Sequence, residues 1–321
     1  MKTLVEIGTN INFARDLLLK GNLVAIPTET VYGLAANALN EKAILSIFEV
    51  KNRPFFDPLI IHLDSIEAVK LYADFEDERL LILAKQFWPG PLTLLLPKKN
   101  NIPYLITSGL DKVAVRIPNH SLSLKLLKSL SFPLAAPSAN PFGYVSPTEP
   151  NHVKKHFGNN LAYILDGGKC EVGIESSIIG IENDTVCIYR LGGLSVEAIE
   201  KIIGPVELKI NQSTNPKTPG QLKNHYAPKK PLFFGDVKKL KQKHYLNKID
   251  LICFGRDLIK LDDYNNIYNL SETEDFKEAA VNLFKFLRLA DDSDSEIIIC
   301  GELPDIDLGR AINDRLRRAA I

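Results

Sequence analysis

Short apolar runs and helical repeats alternate over the first two hundred residues. Strands are predicted where an apolar run of five or six residues ends at a proline or a polar position: 23–27, 59–63, 92–97, 113–118 and 133–137. Helices are predicted over 41–53, with Asn40 as N-cap, and over 76–88, because apolar side chains recur there at helical spacing. Three more strands, 162–168, 176–182 and 185–193, follow without helices between them, and a helix over 195–204 ends the region. The pattern predicts a mixed α/β domain over residues 1–205.

The remaining chain changes character twice. Residues 206–230 are rich in Pro, Asn, Lys and Thr and predict a linker. Over residues 231–321, strands predicted at 232–235, 251–255, 266–270 and 296–300 alternate with helices, which favours a small, open, parallel Rossmann-like sheet. Ser271 and Glu274 are a candidate capping box for the helix whose apolar stripe includes Phe284.

Composition narrows the class of protein. The 321 residues are enough for two domains, and 39 basic residues balance 39 acidic ones. This balance argues against a strongly cationic nucleic-acid coat and against a disordered acidic chain. No run of 18 apolar residues predicts a membrane span, and the N-terminus lacks the features of a signal peptide. The four cysteines form no C-x-x-C pair, which argues against zinc and fits a reducing cytoplasm.

Several polar segments follow predicted strands and helices. Lys51 and Arg53 end a helix, where they either complement the helix dipole or clamp a phosphate, and we expect both side chains at the surface. Arg116 interrupts an apolar strand and needs an anionic partner, which is either a protein carboxylate or a ligand carboxylate. His62 is either a satisfied core histidine or a hydrogen-bond donor to a ligand. No Walker A, dinucleotide-binding or nucleophile-elbow motif occurs.

Taken together and in order, six segments resemble one family, the threonylcarbamoyl-adenylate synthases, whose catalytic part is a YrdC-like domain. The segments are PTETVYGL (27–34), KNRP with PLIIH (51–62), FWPGPLT (87–93), VAVRIP (113–118), APSANPFGYVSPT (136–148) and GIESSII (173–179). PGQLKNHYAP (219–228) and the last domain resemble the long, two-domain form. The resemblance implies a mixed, twisted α/β sheet with a concave, positively charged cleft.

The resemblance also implies an activity. L-threonine, bicarbonate or CO2, and ATP would give threonylcarbamoyl-AMP and diphosphate. A separate tRNA threonylcarbamoyl transferase complex would use the product to make t6A at tRNA position 37. Mg²⁺ would accompany ATP, held by phosphates and water rather than by protein side chains. Direct binding of tRNA is expected to be weak.

Site residues are implied in the same way. Lys51 and Arg53 would be catalytic, acting on the ATP phosphates. The residues implied to contact ATP are Lys51, Arg53, Lys112, Ser138, Asn140, Ser146, Arg190 and one or more of Asn224, His225 and Tyr226. The residues implied to contact threonine are Thr30, His62, Arg116, Ala136 through its backbone, and Ser176. The family often has Thr at the position of Lys112.

Two other functions stay open at this point. An RNA-binding module would use the cleft without chemistry and would bind with strong salt dependence. A carbamoyl-transfer enzyme of the hydrogenase-maturation type shares the domain, but those proteins carry paired cysteines that this chain lacks. For the synthase, we expect residues 206–230 to fold over the cleft as a lid, which excludes water from a labile carbamate.

Overall fold

The computed structural model of the protein describes residues 5–158, 160–210, 225–256 and 264–321. Its strands are β1 (Glu6–Gly8), β2 (Val24–Ile26), β3 (Gly33–Asn37), β4 (Ile60–His62), β5 (Leu92–Pro97), β6 (Lys112–Arg116), β7 (Leu134–Ala135), β8 (Tyr163–Leu165), β9 (Ser177–Glu182), β10 (Thr185–Arg190), β11 (Glu207–Leu208), β12 (Leu232–Gly235), β13 (Ile249–Cys253), β14 (Asn266–Asn269) and β15 (Ile297–Gly301). Its helices are α1 (Ile11–Leu19), α2 (Glu41–Lys51), α3 (Ile66–Val69), α4 (Glu78–Phe87), α5 (Tyr104–Thr107), α6 (Ser121–Lys128), α7 (Pro150–Phe157), α8 (Val196–Ile203), α9 (Val237–Lys243), α10 (Phe276–Asp292) and α11 (Gly309–Ala319).

A large sheet forms the first part of the molecule. Within the described ranges it has eleven strands in the order β1-β8-β2-β3-β7-β4-β6-β5-β9-β10-β11. Parallel pairs such as β4–β6 and β5–β9 alternate with antiparallel pairs such as β5–β6 and β9–β10. The prediction of a mixed α/β sheet is confirmed.

A second sheet follows, with the order β12-β15-β13-β14 and every pair parallel. The regular strand–helix alternation had predicted this arrangement, because parallel neighbours need a crossover between them. The chain therefore carries a separate C-terminal α/β sheet.

The structure differs from the sequence predictions at two boundaries. Residues 207–208 were placed in the linker, yet they form β11, which pairs in parallel with β10 and adds the last strand to the large sheet. The predicted capping box was wrong, because Asp275 is the N-cap of α10 and accepts hydrogen bonds from the amides of Lys277 and Glu278. Ser271 instead donates to the side chain of Glu278. Helix α10 therefore begins one turn later than the pattern indicated, with an aspartate as its N-cap.

One buried cluster joins the two sheets. It contains Ile44 and Leu94 of the large-sheet region together with Leu283, Phe284 and Leu316 of α10 and α11. These two helices therefore pack against the large-sheet domain as well as against their own sheet. All four cysteines are buried and free. Among the described residues, no helix combines the length and apolar character that a membrane crossing requires.

Candidate active site

A cleft lies on one face of the large sheet. Strands β4 and β6 form its floor, because alternate side chains of a strand point to the same face of the sheet. Ile61 and Val115 point into the main core, whereas His62 and Arg116, which are paired in the strand register, line the cleft. The apolar–polar alternation in VAVRIP therefore reflects two faces, one packed and one facing the cleft.

Lys51 lies at the end of α2, where the helix ends because Asn52 adopts the left-handed conformation. Its side chain is 1% exposed, and its Nζ donates to the carbonyl oxygens of Ser138 and Asn140. Burial, reinforced by the nearby guanidinium of Arg53, lowers the pKa of Lys51 well below its usual value. The expectation of a surface lysine was wrong: Lys51 ties α2 to the loop that carries Ser138 and Asn140.

Arg53 is also buried, contrary to expectation. Its Nη2 lies 2.9 Å from the Asp57 carboxylate and donates to the carbonyl oxygen of Pro58. Pro58 and Arg53 both line the cleft. The Arg53–Asp57 pair thus fixes the loop between α2 and β4 and keeps a guanidinium at the cleft wall.

Arg190 ends β10 beside Ser176. Its Nε donates to the backbone carbonyl of Ser176 at 3.0 Å, and its Nη2 donates to the Ser176 hydroxyl at 3.0 Å. That hydroxyl also shares a 2.7 Å hydrogen bond with Thr93. Burial lowers the pKa of Arg190 to about 10, so the guanidinium stays charged at neutral pH. Gly192 allows the close packing here, because a Cβ would lie 2.4 Å from the Glu175 carbonyl.

Arg116 has the anionic partner that its buried position requires. Its Nη2 lies 2.8 Å from a carboxylate oxygen of Glu29, and both side chains are about 5% exposed or less. The choice left open by the sequence is settled in part: a protein carboxylate faces Arg116. Glu29 comes from the segment 27–34, whose Thr30 hydroxyl bonds to that of Thr28 at 2.8 Å.

Two histidines line the cleft in the neutral form. Burial and then the charge of Arg116 lower the pKa of His62 to about 3. Burial and then the charges of Arg53 and Lys51 lower the pKa of His225 well below its usual value. Within the described residues, Nδ1 of each ring is buried without a hydrogen-bond partner. Each ring therefore offers a polar atom that a ligand can satisfy.

The loop after β7 supplies the next wall. The Asn140 amide donates to the carbonyl oxygens of Pro141 and Tyr144, which closes the loop on itself. The Ser146 hydroxyl donates to the Glu175 carboxylate at 2.6 Å. Ala136 and Ser138 line the cleft where this loop leaves the sheet.

The C-terminal domain reaches this site with buried side chains. The Nε and Nη2 of Arg315 in α11 both lie 3.2 Å from the other oxygen of Glu175. The Arg315 guanidinium also lies over the ring of Tyr226, 5.4 Å from its centroid. In α10, Arg288 donates to the carbonyl oxygens of Val145 and Ser146.

The structure brings most of the expected residues together. Those lining the cleft are Arg53, His62, Arg116, Ala136, Ser138, Ser176, Arg190, His225 and Tyr226. Directly behind the cleft wall, bonded to lining residues or next to them in the chain, are Lys51, Asn140, Ser146 and Thr30. Asn224 lies outside the described residues.

Lys112 lies apart from this group. It is four residues from Arg116 along β6, about 13 Å at the usual strand rise. Its Nζ donates to the carbonyl oxygen of Ile181 at 2.6 Å, and the side chain lines a different cavity with Tyr189. An ATP contact from Lys112 has no support in this geometry.

Four charged residues of the site were not among the expected ligand contacts: Glu29, Asp57, Glu175 and Arg315. The first three stand within the recognised segments, where a buried arginine demands a carboxylate nearby. Arg315 had no comparable signal, because its partner is 140 residues away in the chain.

Positive charge exceeds negative charge at the cleft. Arg53, Arg116 and Arg315 each have a carboxylate partner. Within the described residues no ion pair joins Lys51 or Arg190 to an acidic side chain. Among the residues that the structure describes, no group of three or more His, Cys, Asp or Glu side chains is placed so that it could hold a metal ion. The arrangement suits an anionic ligand with several charges.

Comparison with known proteins agrees with this geometry. Residues 16–192 match the Sua5/YciO/YrdC family, described as telomere recombination, and residues 194–321 match a family described as the C-terminal domain of threonylcarbamoyl-AMP synthase. A Pyrococcus abyssi protein named threonylcarbamoyl-AMP synthase is 40% identical over 97% of this chain and 94% of its own length. A Bacillus subtilis protein of the same name is 35% identical over 98% of this chain and 95% of its own.

A solved structure extends the comparison. The crystal structure of P. abyssi Sua5 complexed with L-threonine superposes with a TM-score of 0.91, at 38% identity, over 99% of this chain and 98% of that one. The resemblance predicted from the six segments is thereby confirmed. With both domains matched and relatives aligned along almost its whole length, the chain belongs to the threonylcarbamoyl-AMP synthase family.

Proposed function

We propose that this protein makes threonylcarbamoyl-AMP and diphosphate from L-threonine, bicarbonate or CO2, and ATP. The observation that carries the proposal is the cleft lined by Arg190, which lacks a carboxylate partner among the described residues, with Lys51 directly behind its wall and the Arg116–Glu29 pair beside it. The product would pass to a tRNA threonylcarbamoyl transferase complex for t6A synthesis.

Threonine would bind at the Arg116 end of the cleft. Its carboxylate would accept from the guanidinium of Arg116, and its ammonium would face Glu29, which lies 2.8 Å from that guanidinium. The unpartnered Nδ1 of His62 and the Ser176 hydroxyl suit the threonine hydroxyl and the reacting amine. The backbone at Ala136 lies on the adjoining wall, and Thr30 stands behind Val31.

ATP would bind along the other wall, where Arg53 and Arg190 line the cleft and Lys51 lies behind it. Lys51, Arg53 and Arg190 would neutralise its phosphates, and Ser138 would donate a hydrogen bond. Asn140 and Ser146 donate their protons within the protein, so they would accept hydrogen bonds from the ribose hydroxyls or the adenine amine. His225 and Tyr226, which lie just before the C-terminal sheet in the chain, would contact the nucleotide from their wall of the cleft.

The chemistry needs two bonds to form. The threonine ammonium first gives up a proton. The free amine then adds to the carbon of CO2 and releases a second proton, or replaces the hydroxyl group of bicarbonate, which leaves as water, and either route gives a carbamate. A carbamate oxygen then attacks the α-phosphorus of ATP while the bond to diphosphate breaks. The protein would contribute by aligning carbamate and phosphorus and by stabilising charge on the phosphates, and no covalent enzyme intermediate is needed.

Mg²⁺ with ATP fits the residues present. The carboxylates of Glu29, Asp57 and Glu175 are each held by an arginine, so none is left over as a dedicated ligand in the described part of the cleft. The triphosphate and water would hold the ion, and the ion would supply further charge neutralisation at the phosphates.

The lid expected over residues 206–230 would be the part of that segment that follows β11, and its residues 211–224 lie outside the described part of the chain. The described end of that segment supports the role of a lid: His225 and Tyr226 are 7% and 1% exposed, and Ala227 forms a bridge with Tyr144 of the cleft loop. Closure would exclude water from the carbamate and from the mixed anhydride product.

The test is a reconstitution from purified components. The protein is incubated with ATP, Mg²⁺, bicarbonate and L-threonine, and threonylcarbamoyl-AMP and diphosphate are quantified by mass spectrometry and a coupled assay. We expect both products in equal amounts and neither when threonine is left out. An RNA-binding module would form neither product, and that result would contradict the proposal.

A further inference from the structure

Glu175 joins the two domains at the cleft. One of its carboxylate oxygens accepts from the Ser146 hydroxyl at 2.6 Å, and the other accepts from Nε and Nη2 of Arg315 at 3.2 Å each. Glu175 is 6% exposed and Arg315 is fully buried. The proposed reaction gives neither Glu175 nor Arg315 a contact with threonine or ATP, so the burial of both groups needs another explanation.

Arg315 supports a second residue of the same wall. Its guanidinium lies 5.4 Å from the ring centroid of Tyr226, and that ring is also stacked with Phe284 at 5.6 Å. The remaining Nη1 donates to the carbonyl oxygen of Leu191, the residue after Arg190. The Arg315 side chain therefore contacts Glu175, which holds Ser146, and the ring of Tyr226 itself. It also contacts the backbone next to Arg190.

The threonine contacts are linked to Arg315 less directly. Of these residues, Ser176 adjoins a partner of Arg315, because it follows Glu175 in the chain. Arg116 is held by Glu29, and Ser176 is held by Thr93 and Arg190. His62 lies on β4, whose neighbours in the large sheet are β6 and β7. Arg315 contacts none of these threonine-side groups directly. A change at Arg315 should therefore act more strongly on the nucleotide half of the cleft, because the Ser176 side chain is held by Thr93 and Arg190 rather than by Glu175.

We propose that Arg315 is a positioning residue for the nucleotide half of the cleft, acting through Glu175 on Ser146 and through its own contact on Tyr226. The inference rests on the proposed function for the identity of the ligand as ATP and for the placing of Ser146 and Tyr226 beside it. Lysine cannot replace the arginine fully, because one ammonium cannot reach Glu175, Leu191 and the Tyr226 ring in the same planar geometry.

Binding is the suitable readout, since it separates the two ligands. Arg315→Gln, Arg315→Lys and the matched control Arg317→Gln are made in the full chain. Arg317 is on the same helix but 54% exposed, with a 3.8 Å ion pair to Glu302. Dissociation constants for a non-hydrolysable ATP analogue with Mg²⁺, and for L-threonine, are measured by calorimetry, and folding is checked by circular dichroism.

We expect Arg315→Gln to weaken the nucleotide at least tenfold and threonine less than twofold. Arg315→Lys should fall between this variant and the wild type, and Arg317→Gln should match the wild type. Equal weakening of both ligands, or wild-type nucleotide affinity in a folded Arg315→Gln protein, would overturn the inference.

A double-mutant cycle with Ser146→Ala keeps the test decisive if Arg315→Gln does not fold. If Arg315 acts through Glu175 on Ser146, then Arg315→Lys should cost much less nucleotide affinity in the Ser146→Ala background than in the wild type. Fully additive effects would overturn the proposed route. A wild-type protein that binds the nucleotide but makes no threonylcarbamoyl-AMP contradicts the proposed function alone, whereas one that does not bind it contradicts both.

Discussion

At the scale of single residues, buried carboxylates at the cleft are matched to arginines. Glu29 faces Arg116, Asp57 faces Arg53 and Glu175 faces Arg315. Removing one member of such a pair leaves an uncompensated buried charge, which typically costs about 3–5 kcal/mol of stability. Alanine variants therefore mix a folding defect with a binding defect, and conservative variants report the binding role more cleanly.

Arg116→Lys is such a variant. It keeps a positive charge beside Glu29 but loses the fork that suits a carboxylate. We expect threonine affinity to fall at least tenfold, which is about 1.4 kcal/mol, while the affinity for a non-hydrolysable ATP analogue changes less than twofold. Calorimetric titration with each ligand measures both. A similar loss for the two ligands would remove Arg116 from the threonine site.

The sequence identified which residues belong to the site better than it identified their surroundings. Arg116 was expected to need an anionic partner, because a polar group interrupts an apolar strand, and Glu29 is that partner. Lys51 and Arg53 were expected at the surface, yet both are buried. Local patterns report the spacing of side chains, whereas burial depends on what distant segments bring.

At the scale of elements, periodicity predicted closely the bounds of the elements that it identified, but it missed others, among them α1, α6 and α7. The predicted strand at 59–63 is Ile60–His62, and the predicted helix at 195–204 is Val196–Ile203, with Ser195 as N-cap. Packing between elements had no such signal. Gly173, in the loop before Glu175, has φ +78°, and a Cβ there would lie 2.5 Å from the carbonyl oxygen of Ala280 in α10. The loop and the helix are in direct backbone contact.

Gly173→Ala should therefore separate α10 from the cleft loop. Gly168→Ala is the matched control, since Gly168 has φ +75° but no atom within 4 Å of the position that a Cβ would occupy. The control costs the backbone strain alone, roughly 1–2 kcal/mol, and overpacking adds about 1–3 kcal/mol at Gly173. Urea unfolding measures the difference. Equal destabilisation by the two variants would show that α10 and the loop move apart with no loss of free energy of unfolding.

At the scale of the whole molecule, the smaller domain completes the cleft. A fragment 1–210 keeps β11 and the large sheet but lacks Arg288, Arg315 and Tyr226. We expect this fragment to bind a hydrophobic dye more strongly than the full chain, because the surface under α10 and α11 is exposed, and to lose most threonylcarbamoyl-AMP synthesis.

Co-expression of 1–210 with a second fragment, 225–321, is the control for this experiment. The contacts of Arg288 and Arg315 with the large-sheet domain do not depend on the covalent link, so we expect the pair to recover part of the activity. Full activity of 1–210 alone would contradict an active role for the C-terminal domain.

The continuous buried cluster has a consequence for how the protein melts. Because Leu283, Phe284 and Leu316 share that cluster with residues of the large sheet, the two domains should lose their structure in one cooperative step. A calorimetric scan should then give a single peak whose van't Hoff and calorimetric enthalpies agree. In a cell, a heat-damaged molecule would be wholly inactive and wholly open to proteolysis, rather than a half-folded enzyme that consumes ATP without delivering its product.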